Sequence, residues 1–398
     1  MEKSAIFRAP EAVFYGRDSM KKVGAEAALR GKKALIISDQ IMNQLGYVSE
    51  CISNLQSQGV QSEVYLGVAS EPTDQYVEEG LVIFQTESCD LIISLGGGSC
   101  IDTAKAIAVL ATNGGYIGDY MGGKKIAQHQ AIPHIAIPTT AGTGSEATDV
   151  TVITNTSSSV KMMIKQPVFM PRVAIVDPLL TISSPKSVTS ATGIDALSHA
   201  VEAYLSKKAH PMTDTMALSA MKLIVKNILT AYNDGEHVDA REAMSLGSLQ
   251  AGMAFTNASV CLVHGMSRPI GALFHVPHGI SNAMLLPAVL EFSQNECVER
   301  LADIGRIFVG NNENLSNQEA ANVAVKSIKD LCLKLNIPNL KGWGMDEGAF
   351  RTAVDKMAYD ALDSGSPSNN PRVPSQRELV ELYYRCYDYQ FSSPIKQV

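Results

Sequence analysis

The order in which two hydrophobic periods appear is what most constrains this chain. Up to residue 176, short apolar runs alternate with segments of helical period; beyond Pro185 the apolar runs stop and helical periods continue alone. Strands are predicted at Lys33–Ser38, Gln61–Leu66, Leu91–Leu95, Ile135–Ile137 and Val173–Val176. Helices are predicted at Tyr47–Ser57, at Thr73–Ser88 and from the Gly96–Gly98 run to about Ala111. Such alternation builds a mainly parallel sheet with helices on both faces. The run Thr151–Ile164, folded about Asn155-Thr-Ser-Ser-Ser, reads as a hairpin. The second half is expected to be all helix: Gly193–Ser206, Met212–Tyr232, Glu236–Thr256, Asn282–Ser293, Asn317–Leu335 and Ser375–Tyr387. The biased stretch Asp363–Pro374 reads as a surface loop before the last helix. With 398 residues the chain is too long for one ordinary core, and the switch near Thr181–Lys186 is the expected boundary.

Composition narrows the class. Hydrophobic residues make up 45% and charged residues 18%, as in an ordinary soluble globular enzyme, and the net charge of -7 leaves no basic footprint for nucleic acid. The seven cysteines are odd in number and show no C-x-x-C, which argues for reduced thiols. The opening MEKSAIFRAP has no apolar signal region, and no membrane-length apolar run follows, so a cytoplasmic protein is expected.

Two sets of residues carry chemistry. Asp195 and His199 stand four apart in the Ala-rich TGIDALSHAVEAY, hence on one helix face. His264 and His278, in VCLVHGMSR and FHVPHGISNA, each precede a glycine. One carboxylate and three imidazoles suit Fe(II) or Zn(II) and suit Mg or Ca poorly. Taken alone, an Asp/His pair at helical spacing is more often structural. The second set is two glycine-rich loops. Gly96, Gly97, Gly98 and Ser99 follow a strand and open a helix, an arrangement that aims backbone N–H groups at an anion. Thr139, Thr140, Thr143 and Ser145 follow the next strand, with Gly142 and Gly144 available for close approach to a ligand. Neither loop matches the standard dinucleotide or Walker patterns, and each alone could be only a turn. Together they favour a nucleotide pyrophosphate. Asp39 ends an early strand, where a carboxylate can bind a ribose or merely cap a helix.

In combination and order, GGGSCID, PTTAGTGSE, GIDALSHAVEAY and the H-G-x(12)-H-G pattern resemble the iron-containing (group III) alcohol dehydrogenases. The resemblance runs from about Arg8 to about Arg385 and includes lactaldehyde (propanediol) and butanol oxidoreductases. It implies residues 1–184 as an α/β dinucleotide-binding domain and residues 185–398 as an all-α metal-binding and catalytic domain, with the active site between them. It implies Asp195, His199, His264 and His278 as ligands of Fe(II), alternatively Zn(II). Asp39 falls at the adenosine-ribose position, which favours NAD over NADP, and Lys161 and Leu180 join the expected cofactor contacts. A homo-oligomer, a dimer first, is expected.

The reaction so implied is hydride transfer between nicotinamide and a small primary alcohol or diol, with the metal making the hydroxyl acidic. His275, three residues before His278, is a candidate proton relay. Many members of the family carry a further histidine four residues after the first of the His-Gly histidines; here that position is Arg268. Arginine is no general base near neutral pH. It would either make a structural ion pair or bind a substrate carboxylate, which keeps hydroxy acids and semialdehydes open. Dehydroquinate synthases, lyases that also hold NAD and a metal, are the remaining alternative.

Overall fold

The computed structural model describes residues 4–158, 160–310 and 314–392. The first three residues of the opening stretch and Ser159 of the expected hairpin turn lie outside them. The chain divides into two compact units: Arg8–Ser184 with Glu236–Gly252, and the residues up to Phe7 with Pro185–Gly235 and Met253–Val398. The segment Glu236–Gly252, expected with the helical half, groups with the α/β unit.

The first unit holds the strands β1 (Ala12–Tyr15), β2 (Lys33–Ile37), β3 (Gln61–Tyr65), β4 (Leu91–Gly96), β5 (His134–Pro138), β6 (Val150–Asn155), β7 (Val160–Lys165) and β8 (Val173–Val176). Six of them form one sheet in the order β1-β8-β5-β4-β2-β3, and every pairing is parallel. β6 and β7 form a separate antiparallel hairpin. Central β4 is buried along its whole length, which is why its sequence is apolar on both faces, Ser94 excepted, and does not alternate. At the β3 edge, Glu63 pairs with Lys33, and charge of this kind keeps an open edge from recruiting another strand. The helices are α1 (Val23–Ala28), α2 (Gln40–Gln44), α3 (Tyr47–Gln56), α4 (Asp74–Thr86) and α5 (Gly98–Asn113). Alternate strand residues feed two cores. Leu35, Ile37 and Ile92 pack with Val77, Phe84 and Ile107 from α4 and α5. Ala34, Ile36 and Ile93 pack with Val23, Val48 and Leu55 from α1 and α3. Sequence periodicity missed β1, α1 and α2, each six residues or fewer and too short to show a period.

The remaining helices are α6 (Lys186–Leu205), α7 (Pro211–Asn233), α8 (Val238–Ala258), α9 (Leu262–Phe274), α10 (His278–Ser293), α11 (Val298–Val309), α12 (Asn317–Lys334), α13 (Glu347–Asp363) and α14 (Gln376–Tyr387). α6 begins at Lys186, two turns before the expected Gly193 and directly after Pro185. α10 begins at His278 and not at Asn282, again directly after a proline. The sequence reading did not separate α11 or α13. The stretch Asp363–Pro374 is not a surface loop. Ser366, Pro367, Asn369 and Asn370 are buried, and Asn369 Nδ2 donates to Val260 O at 3.2 Å. Among the described residues, no single helix is long and apolar enough to cross a membrane.

Buried His134 on β5 lies with Nε2 2.8 Å from Ser94 Oγ on β4. Burial, helped by the charge of Lys105, pulls its pKa from 6.5 down to about 3. Above pH 6.5 the imidazole is neutral in both folded and unfolded chains and has no linked effect. As pH falls from 6.5 toward 3, only the unfolded chain takes up the proton, so stability declines. Between about pH 7.5 and about pH 5 this should cost about 2 kcal/mol. A Ser94→Ala/His134→Val double variant should lose that much less over the same interval, measured by urea unfolding at both pH values. An equal loss in both proteins would clear His134 as the cause.

Candidate functional site

α6 is buried on nearly every side, and it carries Asp195 and His199 one turn apart. His264 lies in the first turns of α9, and His278 opens α10. Gly279 makes this approach possible: a Cβ there would lie 2.9 Å from Ala191 O and 3.4 Å from the Asp195 Cβ. One donor atom from each of Asp195, His199, His264 and His278 lies within 4.8 Å of the others. Asp195 Oδ1 is 3.7 Å from His264 Nε2, 4.0 Å from His199 Nδ1 and 4.0 Å from His278 Nε2. Donors bound tetrahedrally to one metal stand roughly 3.4 Å apart, so the cluster is only slightly wider than a shared coordination sphere.

The centre is rich in lone pairs. The Asn282 amide nitrogen lies 2.7 Å from Asp195 Oδ1, 3.0 Å from His264 Nε2 and 3.1 Å from His278 Nε2. An NH2 group has two hydrogens to offer these three acceptors. His199 Nδ1 is buried with no hydrogen-bond partner. Its ring is held between Phe255 and His264, with centroids 4.3 Å and 4.4 Å away. A buried nitrogen without a partner beside a carboxylate and two further imidazoles is a donor set that fits a borderline divalent cation. His278, with 35% of its side chain exposed, is the accessible member.

Glu202 supports this group. Its carboxylate accepts from Val263 N at 2.6 Å and Cys261 N at 3.0 Å, and stands 2.6 Å from His264 Nδ1. Burial pushes the Glu202 carboxyl up to about 7, against the pull of those backbone donors. Burial drives His264 well below the usual imidazole range. Nδ1 of His264 faces the Glu202 carboxylate. Glu202 and Asn282 are not among the residues that stand out from the sequence alone. A signal existed for each, since Glu202 follows His199 by three residues and Asn282 follows His278 by four.

Arg268 follows His264 by one turn of α9, so that segment is helical although it contains Pro269. It is half-buried, and burial draws its guanidinium down to about 10 while the charge of Glu202 favours the cation. His275 is exposed and ends α9 in a left-handed conformation, φ 54. Neither His275 nor Arg268 belongs to the four-donor group.

The glycine loops occupy the carboxyl ends of three neighbouring parallel strands. Asp39 follows β2, Gly96–Gly98 follow β4, and Thr139 and Thr140 follow β5. The chain moves from β2 outward to β3 and then to the other side through β4 and β5, which makes a switch point above β2 and β4. Gly97 caps α5, whose first N–H groups are turned to the same end. The two loops touch: a Cβ on Gly98 would lie 2.7 Å from Thr143 Cγ2. Gly144 has φ +61 and packs on Gly252, so the fold itself requires glycine there. Ser145 N binds Thr143 Oγ1 at 3.2 Å. Asp39 caps α2 by accepting from Met42 N at 2.9 Å, which leaves Oδ2 beside the Gly96 backbone. Ser99 lies partly buried in the first turn of α5. Lys161 pairs with Glu71, and Leu180 is 3% exposed within the core on the α1/α3 face.

Known proteins agree with this geometry. Residues 10–178 match the family model "Iron-containing alcohol dehydrogenase", and residues 189–387 match "Fe-containing alcohol dehydrogenase family, C-terminal". A 1,3-propanediol dehydrogenase of Citrobacter freundii is 38% identical over 95% of this chain and 97% of its own. An NAD-dependent methanol dehydrogenase of Bacillus methanolicus is 38% identical over 94% and 98%. A crystal structure of a 1,3-propanediol oxidoreductase superposes with a TM-score of 0.92 at 38% identity, covering 97% of this chain and all of that one. Both halves match alcohol dehydrogenase models, which favours oxidoreductase chemistry over the dehydroquinate-synthase alternative. The chain belongs to the iron-containing alcohol dehydrogenase family.

Proposed function

We propose that this alcohol oxidoreductase is an NAD-linked, Fe(II)-dependent dehydrogenase of small primary alcohols or diols that also reduces the matching aldehydes. The observation that carries this reading is the convergence of four donor atoms within 4.8 Å at a centre with more acceptors than hydrogens. Asp195, His199, His264 and His278 would hold the metal, which when bound supplies a Lewis acid that makes a hydroxyl proton easier to remove. Gly96, Gly97, Gly98, Ser99, Thr139, Thr140, Thr143 and Ser145 would bind NAD over the carboxyl ends of β4 and β5, with the α5 N-terminus facing a phosphate. Lys161 and Leu180 would line the same cofactor. Residues 1–184 would serve the cofactor and 185–398 the metal. His275, exposed at the end of α9, would pass the proton from its imidazole to water. The seven free, buried cysteines support a cytoplasmic enzyme, and we propose a homodimer, to be checked by light scattering.

The metal assignment has a direct test. His264→Ala should lower metal content and abolish turnover, while chelated wild type should recover with Fe(II) far better than with Mg(II). Wild-type metal content and activity in the variant would refute it.

Asp39 accepts from Met42 N through Oδ1 and from the Cys100 thiol through Oδ2, whose second lone pair would serve a ribose hydroxyl, and a carboxylate there would repel a 2′-phosphate. Asp39→Gly should shift the NADP-to-NAD ratio of kcat/KM by about 1–3 kcal/mol toward NADP. An unchanged ratio argues against the role.

The charge of Glu202 favours the Arg268 cation, and we read Arg268 as a structural cation and not a carboxylate clamp. Arg268→Ala should then lower Tm and reduce kcat/KM for an alcohol and for a hydroxy acid of equal length alike, within about threefold of each other. A loss confined to the hydroxy acid, roughly tenfold or more, would assign Arg268 to substrate instead.

A further inference from the structure

We infer that Glu202 is a positioning residue for the metal centre: its carboxylate locks His264 as the Nδ1–H tautomer and aims the Nε2 lone pair at the point shared with Asp195. The inference rests on the metal reading above. Three contacts converge on this buried carboxylate. His264 Nδ1 lies 2.6 Å from Oε2, Cys261 N donates to Oε2 at 3.0 Å, and Val263 N donates to Oε1 at 2.6 Å. The two backbone donors belong to the start of α9, where N–H groups lack partners within the helix and negative charge is favoured. Glu202 therefore fixes where α9 begins relative to α6 and fixes the ring that α9 carries. On α6 it lies seven residues after Asp195 and three after His199, so one helix face bears two of the donors and the anchor of a third.

The tautomer decides the chemistry. With Nδ1–H directed at Glu202, Nε2 keeps a lone pair 3.7 Å from Asp195 Oδ1. Without the carboxylate, Asp195 Oδ1 becomes the acceptor within reach, and a proton on Nε2 would leave no lone pair for a cation. A carboxylate behind a ligating imidazole also raises its basicity, and losing such a partner typically costs about 10–100-fold in metal affinity.

Glu202→Gln is the test, because it keeps the volume and one acceptor but can offer an N–H to His264 Nδ1. Affinity of the full-length, metal-free protein for Zn(II) and Fe(II) should be measured by competition with a chromophoric chelator, beside Tm and the 15N shifts of His264. The variant should bind both metals about 10–100-fold more weakly, with Tm near that of metal-free wild type. Its His264 should move from the Nδ1–H to the Nε2–H form. Wild-type affinity and tautomer in a folded Gln variant would overturn the inference. If the variant does not fold, the wild type decides alone: an Nε2–H tautomer in its metal-free form would overturn the inference. Absence of metal binding in the wild type, with His264 still Nδ1–H, would instead refute the metal reading and leave the Glu202–His264 lock standing.

Discussion

Lone pairs aimed at one buried point repel one another, and the helical unit is built around containing that repulsion. Asp195, His199 and His264 are almost fully buried, so water cannot screen them. Acceptors gathered away from solvent are costly unless a donor or a cation meets them. The surroundings answer from several sides. Asn282 supplies an amide, Glu202 takes the Nδ1–H of His264, and Phe255 stacks on His199. Each of these comes from a helix packed against another, so the donor geometry is as rigid as the packing. Glycine at 279 lets α10 reach Asp195 on α6, and Pro277 sets where α10 begins.

The α/β unit has a different organising constraint. A wholly parallel sheet turns every strand's carboxyl end the same way, so loops far apart in sequence arrive side by side. The residues after β2, β4 and β5 adjoin for that reason alone. Glycine at 98 then lets the loop after β4 lie against Thr143 from the loop after β5. Fold and ligand demand compete at Asp39. Oδ1 accepts from Met42 N and Oδ2 from the Cys100 thiol, so the proposed ribose contact would share a carboxylate that the fold already uses.

Much of this was legible in the sequence because the signals are local. A strand buried on both faces reads as an apolar run, as in Leu91–Gly96, and an Asp/His pair four apart defines a helix face wherever the helix lies. Short elements were not legible. Ala12–Tyr15 pairs with Val173–Val176 across most of the unit, and four residues hold too little periodicity to announce it. The stretch Asp363–Pro374 misled because its residues are those of loops. They are buried here because the Asn369 and Asn370 amides satisfy Val260 O and Ser293 Oγ. Glu202 and Asn282 were missed for another reason. Their spacing was visible, but a Glu or Asn on a helix face has a role only once its neighbour across the interface is known, and that neighbour lies 62 residues away for Glu202 and 87 for Asn282.

Two buried carboxylates and a guanidinium act on one another around His264. The charge of Glu202 favours the Arg268 cation, while burial raises the Glu202 carboxyl to about 7 and holds His264 well below the usual imidazole range. A divalent cation held by the four donors would add positive charge at this point. A reactant oxygen that gains negative charge as its proton leaves would then be stabilised at the moment the charge appears, the condition under which fixed charges accelerate a reaction. A substrate carboxylate would need a further unopposed cation nearby. Arg268 is the cation at hand, and Glu202 acts on its charge. The carboxylate beside His264 is therefore also the one that acts on Arg268, so the proposed preference for neutral substrates and the geometry of the centre turn on the same residue.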